Sequence, residues 1–168
     1  MMEKSKLYLM MGCPGSGKST YLTNRIKDST SAVTVISRDI IRFSLVSEDE
    51  EYFSKEDEVY NLFIKGIANA LNFNNEVFAD ATHLNERSRA KTLRALGKHL
   101  KDVEVNVIYV RVPIEVAIER NENRIGTRAY VPKSVIRRMW SQTTIPTKEE
   151  GFEHIYIIDE NGKEKEII

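Results

Sequence analysis

Gly12-Cys13-Pro14-Gly15-Ser16-Gly17-Lys18-Ser19 is the stretch whose reading decides the fold. It fits G-x-x-x-x-G-K-[ST], and its setting suits the pattern. Leu7-Tyr8-Leu9-Met10-Met11 before it reads as a buried strand, and Ser19 to Lys27 after it predicts a helix. Glycines let the backbone curl so that successive N–H groups converge on an anion, and the new helix adds its positive end. Lys18 is expected to neutralise outer phosphates, and the Ser19 hydroxyl to ligate Mg²⁺. Gly12 to Thr20 is therefore the expected cradle for ATP. A ligand-free glycine turn is the plainer alternative, but strand, loop and helix in this order favour the phosphate site.

The 168 residues suffice for one domain with a sizeable core, and 41% hydrophobic with 30% charged residues describe an ordinary soluble globule. No apolar run approaches the ~20 residues of a membrane span. Met1 to Lys6 leads straight into the first strand, which predicts no signal peptide and a cytoplasmic protein. Cys13 is the only cysteine, so an intrachain disulfide is excluded and no disulfide-linked partner is expected. The 25 basic and 25 acidic residues cancel, so no global field attracts nucleic acid. They are unevenly spread, however. Acids gather at Glu48-Asp49-Glu50-Glu51 and Glu56-Asp57-Glu58, arginines from Arg87 to Arg94 and from Arg111 to Arg138.

Further along, Ala32 to Ile36 reads as a second buried strand, and a short helix can start in Ser37-Arg38-Asp39. Val59, Leu62, Phe63, Ile67, Ala70 and Leu71 recur at helical spacing, which predicts an amphipathic helix over Glu56 to Asn72, broken at Asn74-Asn75. Glu76 to Ala79 is a third strand, and Asn85 an N-cap for a helix to about Leu100 with Ala90, Leu93, Leu96 and Leu100 inward. Val103 to Val110 is a fourth strand. Pro113 starts a helix through Arg124, Ile125 to Val131 form a loop, and Pro132 opens a helix to about Gln142. Thr143 to Gly151 read as irregular, Ile155 to Ile158 as a last strand, and Asn161-Gly162 as a hairpin turn. Strands alternating with helices predict one α/β domain over 1–168, with a parallel sheet covered on both faces.

Ligands of such sheets bind beyond the carboxyl ends of the strands, where Arg38-Asp39 with Arg42, and Asp80 with Thr82, join the phosphate loop. Asp39 is either the cap of its helix or a base that takes a proton from an attacking hydroxyl; the phosphoryl-transfer pattern favours the base. Arg42, one turn on, either grips an anionic substrate group or makes a surface ion pair. Asp80 either supports hydrated Mg²⁺ or caps Thr82 or Asn85. Arg120, Arg124 and Arg128 are candidates for a lid that closes on transferring phosphate, Arg124 foremost, while Arg120 could instead pair along its own helix. Arg87, Arg89, Lys91 and Arg94 either hold a nucleic acid strand or solvate a helix. His83, His99 and His154 lack metal-ligand spacing, and Asp159-Glu160-Asn161-Gly162 is better read as a hairpin turn than as a GTPase D-x-x-G.

From Gly12 to about Ser141 the chain resembles the 5′-kinase domain of phage-type polynucleotide kinases, among the small P-loop kinases. The likeness rests on Gly12 to Thr20, Arg38-Asp39 with Arg42, Asp80-Ala81-Thr82-His83-Leu84-Asn85-Glu86-Arg87, and Arg120 through Arg124 to Val131-Pro132. It implies a transfer of the ATP γ-phosphate to the 5′-hydroxyl of a DNA or RNA end, in nucleic acid repair, in the host cytosol if phage-encoded. By resemblance Asp39 is the general base and Arg42 contacts the neighbouring phosphate. A lid arginine, Arg124, contacts the ATP phosphates with Lys18 and Ser19, and Asp80 supports the site. Two departures stand out. Ile125 shifts the lid register between Arg124 and Arg128, and no 3′-phosphatase domain follows Ser141 within these residues. Two rival functions use the same scaffold: a kinase for a small-molecule hydroxyl, and a nucleotide-gated binding module without transfer.

Overall fold

The computed structural model describes residues 3–73 and 75–168. Met1 and Met2, on which the reading of the N-terminus partly rests, and Asn74 in the expected helix break lie outside them. Strands β1 (Lys6–Met11), β2 (Val33–Ser37), β3 (Glu76–Asp80), β4 (Glu104–Val110), β5 (His154–Ile158) and β6 (Glu164–Glu166) make one sheet in the order β2-β3-β1-β4-β5-β6. Strands β1 to β5 run parallel, and β6 turns back antiparallel on β5. The two central strands β1 and β4 are buried on both faces and mostly apolar, Leu7 to Met11 and Val107 to Val110, with the buried Asn106 as the polar exception in β4.

Six helices cover them: α1 (Lys18–Asp28), α2 (Arg38–Leu45), α3 (Glu56–Leu71), α4 (Glu86–Leu96), α5 (Ile114–Glu122) and α6 (Lys133–Ser141). Alternate side chains divide between the faces, as a period of two requires. Leu7, Leu9, Val77, Ala79 and Val107 pack with Phe63 and Ile67 of α3 and Leu96 of α4. Tyr8, Met10, Phe78 and Ile108 face Leu22 of α1, with the Tyr8 and Phe78 rings stacked 4.8 Å apart. α1 thus leaves β1 on one face while α4 leaves β3 on the other. The crevice beyond the ends of β1 and β3 is the topological switch point. The Gly12 amide donates to the Thr82 carbonyl across it at 3.0 Å.

Several element ends differ from the sequence reading. α4 is capped by Asn85, whose side chain accepts the Ser88 amide, but stops at Leu96, because Gly97 takes φ +44 and the chain continues as a 3₁₀ turn to Leu100. α5 ends at Glu122, short of Arg124. The stretch from Thr143 to Gly151, expected to be irregular, holds a 3₁₀ turn over Lys148–Glu150 closed by a Thr147–Glu150 capping box. Arg89 does not face solvent with Arg87. It is fully buried, forked onto Glu150 at 2.7 and 3.0 Å, with Nη1 donating to the His83 and Thr144 carbonyls. The Asp159–Gly162 stretch is a hairpin turn, its carboxylate accepting the Asn161 and Lys163 amides at 2.9 Å.

Candidate active site

The phosphate loop bridges β1 and α1 by turning where only glycine fits. At Gly15 (φ +82) an added Cβ would strike the Ala117 carbonyl of α5, and at Gly17 (φ +101) the backbone is left-handed directly before α1. Among the described residues no hydrogen bond uses the Gly15, Gly17, Lys18 or Ser19 amides, the free donors of a helix start. The Ser16 hydroxyl is also buried without a partner. Lys18 Nζ folds back onto the Gly12 and Cys13 carbonyls at 2.8 and 3.4 Å. Burial depresses its pKa, while Asp80 and Asp39 pull it upward and Arg124 pushes it down. Asp80, Asp39 and Arg124 thus all act on the loop lysine through their charges. Cys13 is buried, which raises its thiol pKa against the opposing effect of Lys18. It fills the loop rather than reacting.

On the acceptor side, β2 ends at Ser37, and the Ser37 hydroxyl accepts the Ile40 amide, so the cap of α2 is Ser37 and not Asp39. Asp39 is released for another role, its carboxylate 69% exposed. It is held from behind by Arg42 Nη1 at 2.6 Å, with the Tyr52 hydroxyl 3.5 Å away. Arg42 is buried, forked onto Glu56 and packed beneath the Tyr52 and Phe53 rings at 4.9 and 5.4 Å. Burial alone would lower its pKa; the Glu56 and Tyr52 hydrogen bonds outweigh that and raise it. Arg42 does make ion pairs, as the alternative reading had it, but its guanidinium is buried rather than at the surface. Arg38 donates to the same Glu56 at 3.0 Å, lies over the Tyr60 ring at 5.4 Å, and keeps a buried Nε without a partner.

Asp80 ends β3 half-buried; burial raises its pKa, partly offset by Lys18, while Asp39 adds to the rise. It caps neither Thr82 nor Asn85 in any described hydrogen bond, and Asn85 is itself the cap of α4. Thr82 serves through its backbone, receiving the Gly12 amide. Among the described residues no group of three or more His, Cys, Asp or Glu side chains converges. A divalent cation here would take one hydroxyl, from Ser19 at the exposed start of α1, with Asp80 behind it. Phosphate oxygens and water would supply the rest, which is how Mg²⁺ is ordinarily held. The free amides and the orphaned Ser16 hydroxyl suit phosphate in the same way.

The three lid candidates part company. Arg120 lies against the phosphate loop and, among the described residues, has no ion pair along α5. Its Nη1 donates to the Ser16 carbonyl at 3.0 Å and its Nη2 to the Glu160 carbonyl at 3.4 Å, pinning the loop to the β5–β6 turn. Arg128 donates to the Val46 carbonyl and covers the Phe43 ring at 4.9 Å, at the far end of α2. Arg124 acts on Lys18 through its charge, lowering the lysine pKa.

The family model for AAA domains matches residues 7–146, the stretch that carries this cleft. The chain belongs to the AAA-domain family. This AAA domain is 24% identical over 156 residues to transcription factor bHLH140 of Arabidopsis thaliana, matched over 90% of its own length. It spans only 16% of that curated relative. Among solved structures, a chain of the Pnkp1/Rnl/Hen1 RNA repair complex superposes with TM-score 0.70 at 22% identity, covering 84% of this chain and 45% of that one. A gluconokinase from Sinorhizobium meliloti 1021 gives 0.58 at 16%, covering 95% and 84%. The fold of the AAA domain is that of P-loop kinases.

Sequence reasoning missed four side chains of this AAA domain's site. Glu56 was counted with a cluster of acids, and its place against Arg38 and Arg42 of the preceding helix is not readable from spacing. Tyr52 and Ser37 were passed over, the second despite being a good cap residue directly after a strand. Asn121 is fully buried, and its amide donates to the Val131 carbonyl and accepts the Val131 amide, closing the base of the lid loop.

Proposed function

We propose that this domain is an ATP-dependent kinase for the 5′-hydroxyl of a nucleic acid end. The observation that carries the reading is Asp39: an exposed carboxylate at the end of β2, held by Arg42 and coupled electrostatically to the loop lysine. In the proposed reaction the triphosphate lies on the Gly15, Gly17, Lys18 and Ser19 amides with Lys18 Nζ beside its outer phosphates. Mg²⁺ bound through Ser19 and Asp80 would neutralise charge that builds up in transfer. Asp39 accepts the proton of the 5′-hydroxyl as its oxygen bonds to the γ-phosphorus. The bond to the β–γ bridging oxygen breaks, and ADP leaves. Arg124 stabilises charge on the transferring group from the lid side. Arg42 uses four of its five N–H groups on Glu56, Asp39 and Tyr52, leaving one Nη2 hydrogen for the phosphate next to the acceptor. Similarity to a chain of an RNA repair complex supports this acceptor.

That same spending of Arg42 donors favours one other reading, a small alcohol that carries no phosphate, as the likeness to a gluconokinase would suggest. An acceptor competition separates the two. With labelled ATP, a 5′-OH oligonucleotide should take up label in the presence of excess gluconate or other sugar. If label goes to the sugar and the oligonucleotide stays blank, the nucleic acid assignment is wrong and the small-molecule reading takes its place.

A further inference from the structure

The exposed face of α4 carries charge that the transfer chemistry does not use. Arg87, Lys91 and Arg94 recur at intervals of four and three, so they line up along one side of the helix, and Lys98 continues them in the following turn. All four are exposed, and among the described residues none forms an ion pair. The only acid in α4 is Glu86. α3 carries its acids in the first turn alone, and one of them, Glu56, is neutralised by Arg38 and Arg42. In a protein of zero net charge this asymmetry is a property of one face.

The stripe is joined to the acceptor site. Arg38, next to Asp39, lies over the Tyr60 ring at 5.4 Å, and Lys91 lies over the same ring at 4.2 Å. From Tyr60 an open groove of about 420 Å³ follows α3 and α4, offering Asn61, Lys65, Asn69 and His99. α4 leaves the carboxyl end of β3, so the stripe starts at the cleft and runs away from it for about 16 Å, a rise of 1.5 Å per residue from Arg87 to Lys98. Charges in file beside an aromatic and amide-lined groove match a single strand, whose phosphates repeat and whose bases stack.

We infer that the α3–α4 face is the track for a single-stranded nucleic acid, holding the acceptor strand beyond its terminal nucleotide. This rests on the 5′-kinase reading for the strand's polarity. Its test separates the two ideas.

Fluorescence polarisation with a labelled 5′-OH oligonucleotide should show affinity that falls with salt, by about 0.7 in slope for each phosphate neutralised. The triple variant Arg87→Gln, Lys91→Gln, Arg94→Gln should lose about fivefold per side chain near 0.1 M salt, with the slope reduced to match. Transfer to a nucleoside 3′-phosphate, too short to reach the stripe, should keep its KM and kcat in that variant. Equal oligonucleotide affinity in variant and wild type would overturn the track, as would displacement of the oligonucleotide by polyglutamate at equal charge, which would mark a face for any polyanion. Should the wild type phosphorylate no acceptor while the variant still loses oligonucleotide affinity, the kinase reading fails and the track stands.

Discussion

Asp39 owes its freedom to its neighbours. Ser37 takes over the cap and Arg42 fixes the carboxylate from the rear, so the group that sequence reasoning left between cap and base is exposed toward the cleft. If it is the base, Asp39→Asn should cut transfer by about 10²–10⁴-fold while nucleotide affinity, measured by isothermal titration, stays within the wild-type range. Unchanged turnover would remove it from the chemistry. A second residue sets a pH limit on the fold. His83 is buried with Nδ1 2.9 Å from the Met10 carbonyl and Nε2 3.1 Å from the Thr92 hydroxyl, and burial pushes its pKa down to about 4 from 6.5. Below 6.5 the unfolded chain takes up a proton that the folded one refuses. Stability is therefore complete above pH 6.5 and falls as pH drops toward 4, by on the order of 3 kcal/mol. Urea midpoints at pH 7 and 5 should show the loss, and His83→Gln should flatten it.

Two joints tie segments of the fold together. The Arg89–Glu150 pair ties α4 to the segment after α6, with both side chains out of water at 0% and 6% exposure. Glu150→Ala strands a buried guanidinium and should cost about 3–5 kcal/mol in urea unfolding, whereas replacing both partners by apolar residues of similar volume should cost far less. A small effect of the single change would mean the pair is solvated. The other joint, Asn121 on Val131, closes the loop that carries Arg124 and Arg128. Asn121→Ala should leave the fold intact and lower kcat by up to about 10²-fold through misplacement of Arg124, read against an unchanged far-ultraviolet spectrum. The first joint was illegible in sequence because it pairs residues 61 positions apart, and the second because no spacing tells which loop backbone a buried asparagine will meet. Helix starts fared better than helix ends, since Asn85 and Pro132 are local signals, whereas the stop at Leu96 depended on the conformation of Gly97.

At the scale of the whole molecule, the alternation of apolar runs with helical periods was enough to yield the parallel sheet, and the glycine motif placed the cradle at its carboxyl edge. The same motif could not say which arginine meets the phosphates. Arg120, Arg124 and Arg128 look alike in sequence and diverge only when α5 packs on the loop and the lid folds across α2. Nor does the fold choose an acceptor, because a chain of an RNA repair complex and a gluconokinase both share it. On the reading proposed above, that choice falls to the face around Asp39, Arg38 and Tyr60. Incubation with γ-labelled ATP and Mg²⁺ addresses it most directly, using one oligonucleotide bearing a 5′-hydroxyl and its twin bearing a 5′-phosphate. Label should appear on the first and stay at background on the second; equal labelling, or none on either, would contradict the assignment.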